Sequence, residues 1–158
     1  MTALEFVGQL SIGLVMAGAT VGSAMGIGAA ARAATGAWAK EAKTGKTLNF
    51  SYIILIGMPL SQTIYGFILV LVGLAPLVTG ENPLTANQAG TLLGIGIAGG
   101  MAEFFSAWVQ GLIGAGACRA LSEGEGKGLV FMIIAMGIVE TVGLFGFVFL
   151  LLVLPSTG

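Results

Sequence analysis

Glu140 stands at the middle of "FMIIAMGIVETVGLFGFVFL", residues 131–150, the one charged residue in that run. A charge at the centre of an apolar helix costs about 3 kcal/mol on insertion scales, so such a residue marks a functional site by default. Two other segments offer it partners. In "GMPLSQTIYG" (57–66), Ser61 and Tyr65 are four apart and Gln62 and Tyr65 three apart, which puts them on one helix face. In "EFFSAWVQG" (103–111), Glu103, Ser106 and Gln110 form one stripe at the same spacings. Pro59 removes a backbone donor, frees the carbonyl of Leu55 and should kink its helix. One carboxylate (Glu140), two amide oxygens (Gln62, Gln110), a hydroxyl and a loosened carbonyl make a hard-oxygen set. That chemistry suits a small alkali cation. The competing role for such residues is to hold transmembrane helices together, at about 0.6 kcal/mol per hydrogen bond. For Ser61 or Thr63 alone that role is the better account. For Gln62, Gln110 and Glu140 together a site is, because holding helices needs no carboxylate.

These residues need a membrane around them, and the composition supplies one. The chain has 158 residues, 56% hydrophobic and only 8% charged, with a mean hydropathy of +1.02. Soluble domains carry about 25% charged residues, so this is an integral membrane protein of all-α type. With no His and one Cys, Cys118, the chain has no intrachain disulfide, no zinc or haem ligand set and no Ser-His couple. A net charge of −1 without a basic run excludes a nucleic-acid partner. Four apolar spans are expected near residues 6–34, 50–79, 88–120 and 128–154. The first lacks the basic start of a signal peptide and its apolar run is too long for one. All six basic residues fall in two places, Arg32, Lys40, Lys43 and Lys46 at the first connection and Arg119 and Lys127 at the third. The positive-inside rule then makes both connections cytoplasmic and puts both termini on the outer face of the cell membrane.

The spans repeat. A shift of 88 matches Gly26 with Gly114 and Gly28 with Gly116; a shift of 80 matches Gly66-Phe67 with Gly146-Phe147. The chain therefore divides into two tandem helical hairpins, residues 1–80 and 81–158, running in the same direction. Glu140 falls opposite Leu60, so two hairpins share one carboxylate. The 27 glycines concentrate on the odd spans, where they imply close packing against copies of themselves, as on the inner wall of a ring.

Two hairpins, Gly-rich odd spans and a carboxylate only in span 4 resemble the duplicated proteolipid of V-type rotary ATPases, over nearly the whole chain. "PLSQTIYG" and the "VET" around Glu140 resemble its bacterial sodium-transporting form. The resemblance implies that the ion is held by Glu140, Gln62, Gln110, Ser61 and the backbone carbonyl of Met58, with Tyr65 closing the site on the glutamate. It further implies a ring of identical subunits in membrane lipid, turned against a stator subunit that carries a basic residue. A central-stalk subunit would meet the cytoplasmic connections, chiefly "TGAWAKEAKTGKTLN" (35–49). Sodium is the implied cargo, and a proton is the alternative, since a proton site needs only the carboxylate. The chain would not be an enzyme on its own and has no catalytic residue. Two departures stand out: Ser61 where the family pattern would have Thr, and Glu103, an extra carboxylate. A small multidrug transporter also has four spans and one membrane glutamate, but carries it in the first span. A structural scaffold would not need three polar residues at matching depth.

Overall fold

The computed structural model of the protein describes residues 2–80 and 82–155. The 80/81 boundary between hairpins falls on Glu81, which, like the last three residues, lies outside the described part. Four helices make up the fold: α1 (Ala3–Lys43), α2 (Ser51–Val78), α3 (Ala86–Glu123) and α4 (Leu129–Leu152). Each is long and apolar enough to cross a membrane, and no strand occurs among the described residues. α1 and α3 open alike. Thr2 caps α1 in a reciprocal box with Glu5, and Thr85 caps α3 in the same box with Gln88.

α1 runs nine residues past the end expected at residue 34, and the connection expected over 35–49 shrinks to residues 44–50. The added turns, "TGAWAKEAK", are rich in Ala, Lys and Glu, all strong helix formers. Their inner face is also held. Glu41 accepts from the Tyr52 hydroxyl at 2.6 Å and from the Asn49 amide at 2.9 Å, while Trp38 Nε1 donates to the Asn49 carbonyl at 2.9 Å. At 1.5 Å per residue the 41 residues of α1 span about 60 Å, twice a hydrocarbon core of about 30 Å. The two connections of this end are tied by an exposed ion pair, Lys46 Nζ to Glu125 Oε1 at 2.9 Å. The hydrogen bond from Lys46 holds the Glu125 carboxyl below the usual carboxylate range.

α2 is irregular at both of its prolines. Around Pro59 the backbone tightens to a 3₁₀ turn, Met58–Leu60. Ahead of Pro76 it loosens to a π-helical stretch, Leu69–Leu74. Each proline lacks an amide hydrogen and crowds the carbonyl four residues back, so the ladder re-registers there instead of running straight. The kink expected at Pro59 is thus a local change of helix type.

α1 and α3 lie side by side at backbone contact. A Cβ on Gly22 would stand 2.6 Å from the Phe104 Cα, and one on Gly96 2.7 Å from the Ser11 Cα. Gly18 and Gly26 likewise press on the carbonyls of Gly100 and Ala107. The odd spans are therefore crowded against each other within one chain. Gly28 and Gly116 face open space. Gly26 also sits level with Ala107 and Gly111, not with Gly114 as the shift of 88 implied. Gly/Ala-rich runs align with themselves at several shifts, so that pattern alone does not fix the register.

α2 packs on α1, with Gly66 against Ala19, and α4 packs on α3, with Gly146 against Ala102. The bundle thus has two layers, α1/α3 and α2/α4. α4 turns a row of large apolar side chains outward, Phe131, Ile134, Ile138, Val142, Phe145 and Phe149. One apolar cluster, around Tyr52, Leu55, Leu121 and Met136, fills the connection end. Another, around Val15, Leu69, Leu92 and Ile95, fills the end nearer the termini. Between the two clusters the buried side chains turn polar: Gln62, Glu103, Ser106 and Gln110.

Candidate ion-binding site

The polar band is built by α2, α3 and α4. The 3₁₀ turn at Pro59 aims Ser61 back at the carbonyl of Met58, to which its hydroxyl donates at 3.0 Å. The same hydroxyl reaches Gln62 Oε1 at 3.1 Å, so its one hydrogen is shared between two acceptors. Gln62 is fully buried and turns its Nε2 to Ser106 Oγ at 3.0 Å. Ser106 in turn donates to the carbonyl of Val139 at 3.0 Å. A chain of hydrogen bonds therefore runs from α2 across α3 to α4.

The second chain starts at the next residue of α4. Glu140 is half-buried and accepts at both carboxylate oxygens. The Tyr65 hydroxyl donates to Oε1 at 3.0 Å, and Gln110 Nε2 to Oε2 at 3.1 Å. Gln110 Nε2 also reaches the Met136 carbonyl at 3.2 Å. The Tyr65 ring is steadied by stacking on Phe147, with centroids 5.9 Å apart and planes 13° apart. Each oxygen of the carboxyl thus meets one donor. The acceptor side is less complete. Gln110 Oε1 is buried and has no hydrogen-bond partner, a deficit shared among the described residues only by the two oxygens of Glu103. A buried acceptor left unmet costs about 1–3 kcal/mol, so the arrangement has one acceptor more than it has donors.

All six residues expected at the site thus lie in two adjoining networks that meet at Val139 and Glu140. Met58, not Leu55, supplies the carbonyl beside Ser61; the Leu55 carbonyl faces Gly114 instead. Thr63 belongs elsewhere: it donates to Ser23 Oγ at 2.8 Å and ties α2 to α1, as a helix-holding residue would. Sequence reasoning placed Ser106 on the right stripe without seeing that it bridges Gln62 to α4. Its spacing of four from Gln110 was the available signal. Glu103 lies on the same stripe and is fully buried, beside Gly143 of α4.

A comparison with protein families adds an independent observation. Residues 10–72 and 93–153 each match the ATP synthase C-subunit family. The two matches begin at residues 10 and 93, an offset of 83, equal to that between the capping threonines Thr2 and Thr85. No individual curated protein matches the chain.

Proposed function

The chain belongs to the ATP synthase C-subunit family, and on that premise we propose that it carries sodium in the rotor ring of a V-type ATPase. The family consists of non-catalytic, ion-carrying proteolipids that form rings of identical subunits beside a stator subunit, and the chain is a multi-pass integral membrane protein. The V-type assignment is supported by the doubled hairpin in which only the second copy places a carboxylate at mid-span. The observation that carries sodium is the orphaned Gln110 Oε1 beside the Glu140 carboxylate. A proton on Glu140 would need no further acceptor. A small cation needs several: Gln62 Oε1, Ser61 Oγ and the Met58 carbonyl lie together, and Gln110 Oε1 would complete them.

The mechanism follows from where the charges sit. Glu140 is the one charged residue of α4 and is partly exposed on the outer layer, so it crosses lipid only when neutralised. A bound sodium does this, and the Tyr65 hydroxyl on Oε1 holds the carboxylate closed over it. At the stator a basic residue competes for the carboxylate and releases the ion into one half-channel. The next ion enters from the other half-channel. With one carboxylate per four helices, a turn moves half as many ions as an undoubled ring of the same helix number, which favours pumping against steep gradients. The connections at 44–50 and 124–128, with the end of α1, face the central stalk.

The test is ATP-driven uptake of radioactive sodium into vesicles that hold the whole complex. Uptake should occur, and Glu140→Gln should stop it while leaving the ring assembled. Acidification of the vesicle lumen without sodium uptake would replace sodium with the proton. Normal uptake with Glu140→Gln would remove Glu140 from the site.

A further inference from the structure

Glu103 is a second carboxyl inside the membrane, and the transport cycle at Glu140 makes no use of it. It is fully buried, and neither oxygen has a hydrogen-bond partner. The sequence offers no counter-ion at its depth. α1 has no charged residue between Glu5 and Arg32, α2 has none at all, and α4 has only Glu140. The titratable groups facing it are therefore Glu140 of α4 and Tyr65 of α2, and neither is a cation. The room for the carboxyl is made by Gly143. A Cβ there would stand 2.8 Å from Glu103 Oε2 and 3.0 Å from Ser106 Oγ. Ser106 is thus the polar neighbour, and most of its capacity is spent: it donates to Val139 and accepts from Gln62.

We infer that Glu103 is a second ion-binding position of the protomer, and that its ligand is a proton, held while a cation occupies Glu140. An ionised carboxylate sealed among apolar helices without donors or counter-charge is not sustained; such a group takes up a proton and becomes neutral. A metal cation would satisfy the charge but not the geometry. It needs several oxygens, and neither oxygen of the Glu103 carboxyl has a hydrogen-bonding neighbour. A proton needs no such shell, since it neutralises the carboxyl by itself. Glu140, by contrast, meets two donors, one of them from the Gln110 amide whose Oε1 is unmet, and the contrast assigns different ions to the two acids.

The experiment is infrared spectroscopy of the purified, assembled protein, reading the carbonyl stretch of a protonated carboxyl. In saturating sodium at neutral pH the wild type should show this band. Glu103→Gln should abolish the band and leave sodium affinity within about twofold, while Glu140→Gln should keep it. Absence of the band from the sodium-saturated wild type overturns the inference, and this arm needs no variant to fold. So does a fall in bound sodium from two to one per protomer in Glu103→Gln, which would make Glu103 a metal site. The inference rests on the cation reading of Glu140 only for the sodium-saturated condition. If sodium binds nowhere, the reading of Glu140 fails, while the Glu103 band is still resolved by comparing the two variants.

Discussion

Replacing Gln110 with leucine separates a cation ligand from a residue that merely holds helices. The change removes the Nε2 donor to Glu140 Oε2 at 3.1 Å and the unmet Oε1. In the empty protein the two losses oppose each other: a hydrogen bond to a charged group contributes about 1.5–3 kcal/mol, and an unmet buried acceptor costs about 1–3 kcal/mol. Gln110→Leu should therefore melt close to wild type in sodium-free buffer. A cation would meet Oε1, and at about 1.5–3 kcal/mol for that contact and 1.4 kcal/mol per tenfold, sodium affinity should fall roughly 10- to 150-fold. Sodium should separate the two. A ligand at 100 times its dissociation constant stabilises the native state by about 2.7 kcal/mol, a gain that the wild type keeps and the variant loses at that concentration. The assay is thermal melting of the detergent-solubilised protein across a sodium series. Thr63→Val is the control: it breaks the 2.8 Å bond to Ser23 and should lower stability by about 0.6 kcal/mol with or without sodium. A Gln110→Leu variant that is destabilised to the same extent with and without sodium would refute the ligand argument.

Tyr65→Phe keeps the stacking on Phe147 and deletes only the 3.0 Å bond to Glu140; radioactive-sodium exchange should show roughly tenfold or greater weakening, mostly as faster release. Gly22→Ala and Gly96→Ala should each destabilise by about 1–3 kcal/mol through overpacking, because the added carbons meet the backbones of Phe104 and Ser11. Gly116→Ala, which meets nothing within 4 Å, should keep or raise the melting temperature of the isolated protomer, since alanine is the better helix former by about 1 kcal/mol. Glu125, with its carboxyl lowered by Lys46, adds stability that is present above the unfolded carboxylate value and lost as pH falls through the folded one. Its NMR titration should lie below the usual glutamate value, and the gap should close in high salt or in Lys46→Ala, since the pair is exposed.

The fold class was legible because the spans are long and the charges few. The polar band was legible for a similar reason: each polar residue in an apolar helix stands out, and spacings of three and four fix its face. What composition hid was where helices end and which glycines meet. α1 continues through "TGAWAKEAK" because Trp38 and Glu41 find Asn49 and Tyr52, partners that only the returning helix provides. The odd-span register was misjudged by five residues, since an offset of 88 and one of 83 both superpose glycines; the matching caps at Thr2 and Thr85 carry the better signal. The carbonyl at Met58 was assigned by resemblance, and the bare proline rule pointed to Leu55. Pro59 tightened the backbone to a 3₁₀ turn, which exposes a different oxygen from the one an ideal helix would free.

Every hydrogen-bonding side chain around Glu140 comes from α2, α3 and α4 of a single chain. The pocket proposed for sodium is drawn from those residues alone, so in a population of mixed rings the number of ions bound should fall in direct proportion to the share of defective protomers; a pocket shared between two chains would fall with the square. A damaged copy would then deprive the ring of its own passenger and spare the seats on either side.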